Sequence, residues 1–279
     1  MKLPKKLFKA LIALIIAAIL VTLIIVPQKE MTTVASSLSV SQHTKNPPKL
    51  IAHRGFSGVY PQNTIPAFEG AVEAGFWGAE CDIHTTKDGK WVVIHDDEIS
   101  YHTDGEGLIE DYTFDELMEF SIDNGNGIES YGTLPIPTLE EYLKSCADDG
   151  EIVPVIEIKN CDKKYLPLLK ETVEAFGLSE KAIFISFNED YLTEYRALDK
   201  DATILFLKST PTKEDIDFCL ENNFGINFHY MTLYKCASAI LYAKKIGVPI
   251  GAWTVDNTIY ADVMALFGAE FITTNKITP

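Results

Sequence analysis

Positive charge is scarce in this sequence. It has 24 Lys and Arg against 40 Asp and Glu, a net of −16 over 279 residues. Seven of the basic residues and one acidic residue fall within residues 1–49. The remainder therefore carries 17 against 39, a net of −22. A nucleic-acid partner needs a basic face for its phosphates, so this balance argues against one. It argues equally against electrostatic adhesion to anionic lipid. Cysteine is sparse too. Cys81, Cys146, Cys161, Cys219 and Cys236 are odd in number and show no metal-ligand spacing. They read as small buried hydrophobes; an external location permits disulfides, but the sequence pairs none. No Gly-rich fingerprint marks a dinucleotide site, and no Trp or Phe cluster marks an apolar lip.

What is present begins with Lys2, Lys5, Lys6 and Lys9, followed by Ala10 to Val26 without a charge. A membrane-spanning helix needs about 17–25 such residues. The apolar core of a cleaved secretory signal is shorter, about 7–15 residues, and a small-residue cut after Ala35 would lie far from the apolar end. Residues 1–27 are therefore expected to be an uncleaved single-pass anchor in the cell membrane. The lysines keep the N-terminus cytoplasmic and the rest of the chain outside. No cysteine closely follows the run, which argues against a lipoprotein cut. Residues 28–49, rich in Ser, Thr, Pro and Lys, read as a flexible tether.

From residue 50 onward, strand-like and helix-like runs alternate. Strands are expected at 50–52, 79–83, 152–158, 182–186, 203–207, 225–227, 249–254 and 270–273, with helices at 163–175, 189–198, 213–222, 235–246 and 258–267. Eight strands with intervening helices over about 230 residues imply an α/β fold, a (β/α)8 TIM barrel across 50–279; an open doubly wound sheet is the alternative. The interval 84–137 is too long for one helix and reads as a small insertion after the second strand, with a short helix near 114–120. Thr138 and Glu141 form a capping box that starts the next helix.

Glu80 and Asp82 are two apart, so on a strand their carboxylates share a face. The turn at Lys87-Asp88-Gly89 and the run Val92-Val93-Ile94 form a hairpin that can return His95 to that pair. Two carboxylates on one face suggest a shared cation, and an adjacent histidine suggests proton transfer. The same spacing also fits a solvated edge. Upstream, an apolar run ends in His53-Arg54-Gly55, where Arg54 offers a fork of donors for a phosphate. Thr64 reads as the N-cap of a helix with Pro66 in its first turn.

His53-Arg54-Gly55, Pro61-Gln62-Asn63-Thr64, Glu80-Cys81-Asp82, Thr86-Lys87-Asp88-Gly89 and His95-Asp96 together resemble the glycerophosphodiester phosphodiesterase family. The order and spacing match over about 45 residues. Glu157-Ile158-Lys159, Ser186-Phe187, Trp253-Thr-Val-Asp256 and the final strand extend the resemblance to nearly all of 50–279. One departure is clear: Gln62 stands where the family usually has Glu; Trp253-Thr-Val-Asp256 resembles the family's Trp-Thr-Val-Asn element.

The resemblance implies a TIM barrel that hydrolyses glycerophosphodiesters to sn-glycerol 3-phosphate and an alcohol. It implies Glu80, Asp82 and Glu157 as ligands of one divalent cation; three hard oxygen donors favour Ca²⁺ or Mg²⁺. Arg54 and Lys159 become phosphate contacts, and His53 and His95 the acid–base pair, one on the nucleophile and one on the leaving alcohol. Asn63, Phe187, Asn227 and Trp253 are expected to line the substrate. His43, His84, His102 and His229 are read as surface or supporting residues. Two rivals stand beside this reading. One is another phosphodiesterase of phospholipase D-like activity on the same barrel. The other is a membrane-tethered glycerophosphate-binding protein without catalysis. The sequence sets no oligomeric state.

Overall fold

The computed structural model describes residues 47–279. The expected anchor at 1–27, and the tether up to residue 46, lie outside the described residues. The first strand, β1 (Lys49–Ala52), begins on the last residue assigned to the tether. Among the described residues no helix is long and apolar enough to cross a membrane.

In chain order β1 is followed by α1 (Ile65–Glu73), β2 (Gly78–Thr85) and β3 (Trp91–Val93). The insertion holds α2 (Phe114–Leu117), β4 (Ser121–Ile122) and β5 (Leu134–Pro135). Then come α3 (Leu139–Asp149), β6 (Val153–Asn160), α4 (Leu166–Ala175), β7 (Ile183–Ser186) and α5 (Glu189–Leu198). The chain ends with β8 (Thr203–Lys208), α6 (Lys213–Glu221), β9 (Gly225–His229), α7 (Leu233–Ile246), β10 (Ile250–Trp253), α8 (Thr258–Phe267) and β11 (Phe271–Thr274). The strands run parallel in the order β1, β11, β10, β9, β8, β7, β6, β2, and a β1–β2 pairing closes the ring. This is the expected (β/α)8 barrel; the open sheet is ruled out by that closing pair. β3 adds antiparallel to β2, with Ile83 opposite Val93, as the hairpin required.

Alternation along the strands fills the barrel. Ile51, Val153, Val155, Ile183, Ile185, Leu205, Leu207 and Phe271 form one buried cluster. Each such side chain contributes about 1.5–3 kcal/mol on burial. The opposite strand faces are buried as well, as parallel strands under a layer of helices require. All eight residues of β2 are buried, charged ones included.

Caps set several helix starts. Thr64 accepts from Ala67 N at the head of α1. At α3, Thr138 N donates to Glu141 Oε2 at 2.8 Å and Glu141 N to Thr138 Oγ1 at 3.1 Å. Two expected helices are shorter than their patterns. Residues 163–165 form a 3₁₀ turn before α4, because Pro167 suits the first turn of a new helix. α2 stops at Leu117, and the chain turns away to pair Ser121–Ile122 with Leu134–Pro135. The insertion packs its own core from Val92, Ile94, Ile99, Ile109, Leu117, Ile122 and Ile136. All five cysteines are buried and free, as the sequence suggested.

Candidate active site

The upper end of the barrel interior changes from apolar to charged. On β6 the row through Val153 and Val155 continues to Glu157, and on β2 the row through Gly78 continues to Glu80 and Asp82. Asp82 is the register partner of Glu157. Oxygens of the three carboxylates all lie within 4.8 Å of one another, and all three residues are buried. At such a separation each carboxylate pair repels by about 3 kcal/mol at an effective dielectric of about 20.

Two cations answer three anions. Lys159 Nζ lies 3.0 Å from Glu157 Oε1 and 3.6 Å from Asp82 Oδ1, and Arg54 Nε lies 3.4 Å from Asp82 Oδ2. Glu80 Oε1 and Asp82 Oδ1 are buried without a hydrogen-bond partner. Buried carboxylate oxygens left without donors are costly, and a hard divalent cation satisfies them. The donor set therefore fits the expected Ca²⁺ or Mg²⁺. Burial and the neighbouring Asp82 and Glu157 carboxylates push Glu80 well above the ordinary carboxylate range. Burial, then Asp82, pushes Glu157 up to about 7. Burial also acts to raise Asp82, but Arg54 and Lys159 outweigh it and hold Asp82 at about 2.

The turn after β1 locks this cluster in place. Arg54 and Gly55 both adopt left-handed φ, 56° and 74°. A Cβ on Gly55 would lie 2.6 Å from the Ala67 backbone, so only glycine lets the turn press onto α1. The turn directs the Arg54 N–H to Glu80 Oε2 at 2.7 Å and the Gly55 N–H to the Glu80 carbonyl at 3.0 Å. Arg54 Nη1 donates to Gln62 Oε1 at 2.6 Å. Gln62 thus supplies the acceptor a Glu would supply, without adding a fourth negative charge.

Both predicted histidines reach the cluster. His53 follows β1, and its Nδ1 lies 2.8 Å from Asn275 Oδ1. Burial, then the Arg54 charge, pulls it down to about 4. The β2–β3 hairpin delivers His95, anchored by Ile94 N donating to the Asp82 carbonyl at 3.1 Å. One Asp96 oxygen lies 3.1 Å from His95 Nδ1 and the other 2.8 Å from His102 Nε2. Burial, helped by the Arg54 and Lys159 charges, pulls His95 below the ordinary histidine value against the opposing pull of Asp82 and Asp96.

His53, Arg54, Glu80, His95, Glu157 and Lys159 line a cavity of about 100 Å³, and Phe187, Asn227 and Trp253 line it as well. A broader groove of about 540 Å³ continues over Lys159, Phe187 and Glu189. Phe187 stands edge-on to Trp253, with centroids 5.6 Å apart. His229 packs on the same indole at 4.9 Å.

Asn63 is a correction. Expected to line the substrate, it is instead buried behind the cluster. Its Nδ2 donates to Asp82 Oδ2 at 2.8 Å and its Oδ1 accepts from Asp82 N at 3.3 Å. Both ends of its amide are taken up by Asp82. The sequence reading also missed Asn275, which lies 222 residues from the histidine it touches. It missed the Asp96–His102 pair as well, although His95-Asp96 stood inside a quoted motif.

Comparison with known proteins decides the family. The sequence pattern described as the Glycerophosphoryl diester phosphodiesterase family matches residues 53–278. The chain belongs to this family. A glycerophosphodiester phosphodiesterase of Caldanaerobacter subterraneus is 31% identical over 229 residues, covering 81% of this chain and 93% of that protein. One of Bacillus altitudinis is 37% identical over 153 residues, covering 54% of this chain; the match spans only 62% of that protein's length. The crystal structure of a glycerophosphodiester phosphodiesterase from Parabacteroides distasonis aligns with TM-score 0.71 at 31% identity, covering 83% of this chain and 94% of the other. An Oleispira antarctica phosphodiesterase in complex with the product sn-glycerol-3-phosphate aligns with TM-score 0.72 at 25% identity, covering 82% and 93%.

Proposed function

We propose that this member of the family hydrolyses glycerophosphodiesters to sn-glycerol 3-phosphate and an alcohol. One observation carries the reading. Two histidines, two cations and the carboxylates of Glu80 and Glu157 line a single small cavity, with the third carboxylate, Asp82, clustered against those two. A phosphodiester needs each of these groups.

Glu80, Asp82 and Glu157 would hold one divalent cation, Ca²⁺ or Mg²⁺, and Asn63 and Arg54 orient two of those carboxylates. Such a cation would supply Lewis-acid stabilisation of the phosphate's negative charge. The Arg54 and Lys159 side chains bind the same phosphate and offset charge developing at phosphorus. His53 is the general base. Its environment keeps it neutral near pH 7, and its Nδ1 contacts only a neutral amide. Its Nε2 takes the proton from the attacking oxygen as that oxygen bonds to phosphorus. His95 is the general acid. Its own environment lowers its proton affinity as well, but Asp96 on its Nδ1 opposes that shift and stabilises the imidazolium that gives its proton to the leaving alcohol as the P–O bond breaks. Phe187 and Trp253 form the apolar wall on which the glycerol carbons rest, with Asn227 at its base.

Residues 1–27 are proposed to anchor this domain at the cell membrane with the N-terminus cytoplasmic. That reading rests on the four lysines and the uncharged run behind them. Cell fractionation with protease protection tests it: domain release from intact cells without membrane solubilisation supports the topology, and a wholly soluble product sinks it.

The activity is tested by incubating the purified protein with glycerophosphocholine and Ca²⁺ or Mg²⁺ and following products by phosphorus NMR. Release of sn-glycerol 3-phosphate supports the reading. Release of phosphocholine instead, or no turnover alongside tight glycerophosphate binding, overturns it.

A further inference from the structure

His53 is held from the far side of the barrel seam. β1 pairs with β11, and the His53 N–H donates to the Thr274 carbonyl at 2.9 Å. One residue further, Asn275 presents its Oδ1 to His53 Nδ1 at 2.8 Å. The orientation of that amide is fixed by a second side chain. Asp256, three residues beyond β10, accepts from Asn275 Nδ2 at 2.9 Å through one oxygen. Through its other oxygen it accepts from the Asn275 backbone N–H at 2.7 Å and from Thr274 Oγ1 at 3.2 Å. A carboxylate only accepts. The Asn275 nitrogen must therefore face Asp256, and the Asn275 oxygen must face His53. An amide oxygen also only accepts, so the proton of the neutral imidazole sits on Nδ1. The Ser57 hydroxyl, 2.9 Å from the same Asn275 oxygen and 2.7 Å from the His53 carbonyl, ties the turn to this pair.

We infer that Asp256 and Asn275 are positioning residues for the reaction: together they lock His53 in its Nδ1–H tautomer and leave Nε2 unprotonated toward the cavity. Neither residue lines that cavity. The arrangement differs from the one on His95, where Asp96 touches the ring directly. On His53 the negative charge is kept one residue away, behind a neutral amide. The fold reason is closure. The loops after the last two strands meet the end of the first, so completing the barrel also orients the base. The assignment rests on the proposed role of His53, but the tautomer is observable without it.

The test records the ¹⁵N ring resonances of His53 in the purified full chain, with kcat and KM for glycerophosphocholine. The wild type is expected as the Nδ1–H form. Asn275→Ala is expected to mix the tautomers and lower kcat about 10–100-fold with KM within twofold, as loss of an orienting partner does. Asn275→Asp alone places two carboxylates in contact and is expected to lose activity and stability. The exchange Asp256→Asn with Asn275→Asp keeps every bond, reversing only which side chain donates between them. It is expected to restore the Nδ1–H form and most of kcat. An Nε2–H tautomer in the wild type overturns the inference. So does an Asn275→Ala protein with unchanged tautomer and kcat. If Asn275→Ala does not fold, the wild-type tautomer and the exchange pair decide alone. A fully active His53→Gln protein would instead defeat the proposed role of His53, leaving the lock itself standing.

Discussion

Asp82 and Glu157 face each other as register partners on adjacent parallel strands, yet their proton affinities are driven apart. Arg54 and Lys159 hold Asp82 ionised, while burial and the Asp82 charge push Glu157 up to about 7. In the cation-free protein Glu157 therefore keeps a proton that the unfolded chain releases near 4.5. A raised carboxyl stabilises the fold at low pH and loses that contribution as pH rises through about 7. The proposed divalent cation would take the place of that proton. Its dissociation constant should rise by up to about tenfold per pH unit below 7 for each proton displaced. Titration calorimetry at pH 5, 6, 7 and 8 checks this. A constant affinity across that range would refute the protonated cluster.

Two conservative changes in the cluster should act in opposite directions on stability. Glu80→Gln keeps an acceptor for the Arg54 N–H and removes a buried carboxyl that must otherwise carry a repelled charge or hold a proton the unfolded chain would release. In EDTA it should melt about 2–4 °C higher, a gain of about 1 kcal/mol for a domain of this size. Asp82→Asn leaves Arg54 and Lys159 with a single remaining carboxylate partner, Glu157 on Lys159, and should melt lower. Both should lose the gain in melting temperature that Ca²⁺ or Mg²⁺ gives the wild type. Calorimetric melts with and without cation measure this, and equal shifts for the two variants would contradict it.

Much of this site was legible because the relevant signals are local. Glu80 and Asp82 share a face by strand alternation, the Asp88-Gly89 turn sets the hairpin, and the eight alternating runs point to a barrel, whose closure the β1–β2 pairing then decides. Residues paired across the closure were not legible. Asn275 and His53 meet only because β11 pairs with β1, and no spacing rule connects them. Asn63 was misread for a related reason. A polar residue beside a motif looks exposed until the strand it serves is in place, and here β2 takes up its whole amide. Gln62 departs from the family's Glu, and what the departure costs was not legible until the fold brought its oxygen to Arg54.

Asp96 joins His95 to His102, so if His95 is the general acid as proposed, removing the Asp96 charge should weaken catalysis more than the fold. Asp96→Asn is expected to lower kcat about 10²-fold with little change in KM, within the range for a positioned proton donor. The defect should shrink with a substrate whose leaving group needs no proton, such as a p-nitrophenyl phosphodiester. Steady-state kinetics on both substrates test it. Equal losses on both would assign Asp96 a structural role.

Asn227 owes its place to a glycine. Its Oδ1 is buried without a partner, and a Cβ on Gly251 would lie 2.7 Å from it. Gly251→Ala should therefore displace the Asn227 amide from the cavity floor. The expected result is a KM for glycerophosphocholine raised about 10-fold, the effect of losing one hydrogen bond of about 1–1.5 kcal/mol. Substrate-saturation curves check this, and an unchanged KM would show that the amide makes no contact with the glycerol.

The most direct measurement concerns the carboxylate cluster itself. Purified wild type, Glu80→Ala and His53→Ala are stripped with EDTA, then returned to Ca²⁺ or Mg²⁺, and sn-glycerol 3-phosphate release from glycerophosphocholine is followed. The account predicts no release from stripped wild type and recovery on adding cation. It predicts no recovery in Glu80→Ala, and cation binding without turnover in His53→Ala. Undiminished release from the stripped wild type, or from Glu80→Ala, would contradict it.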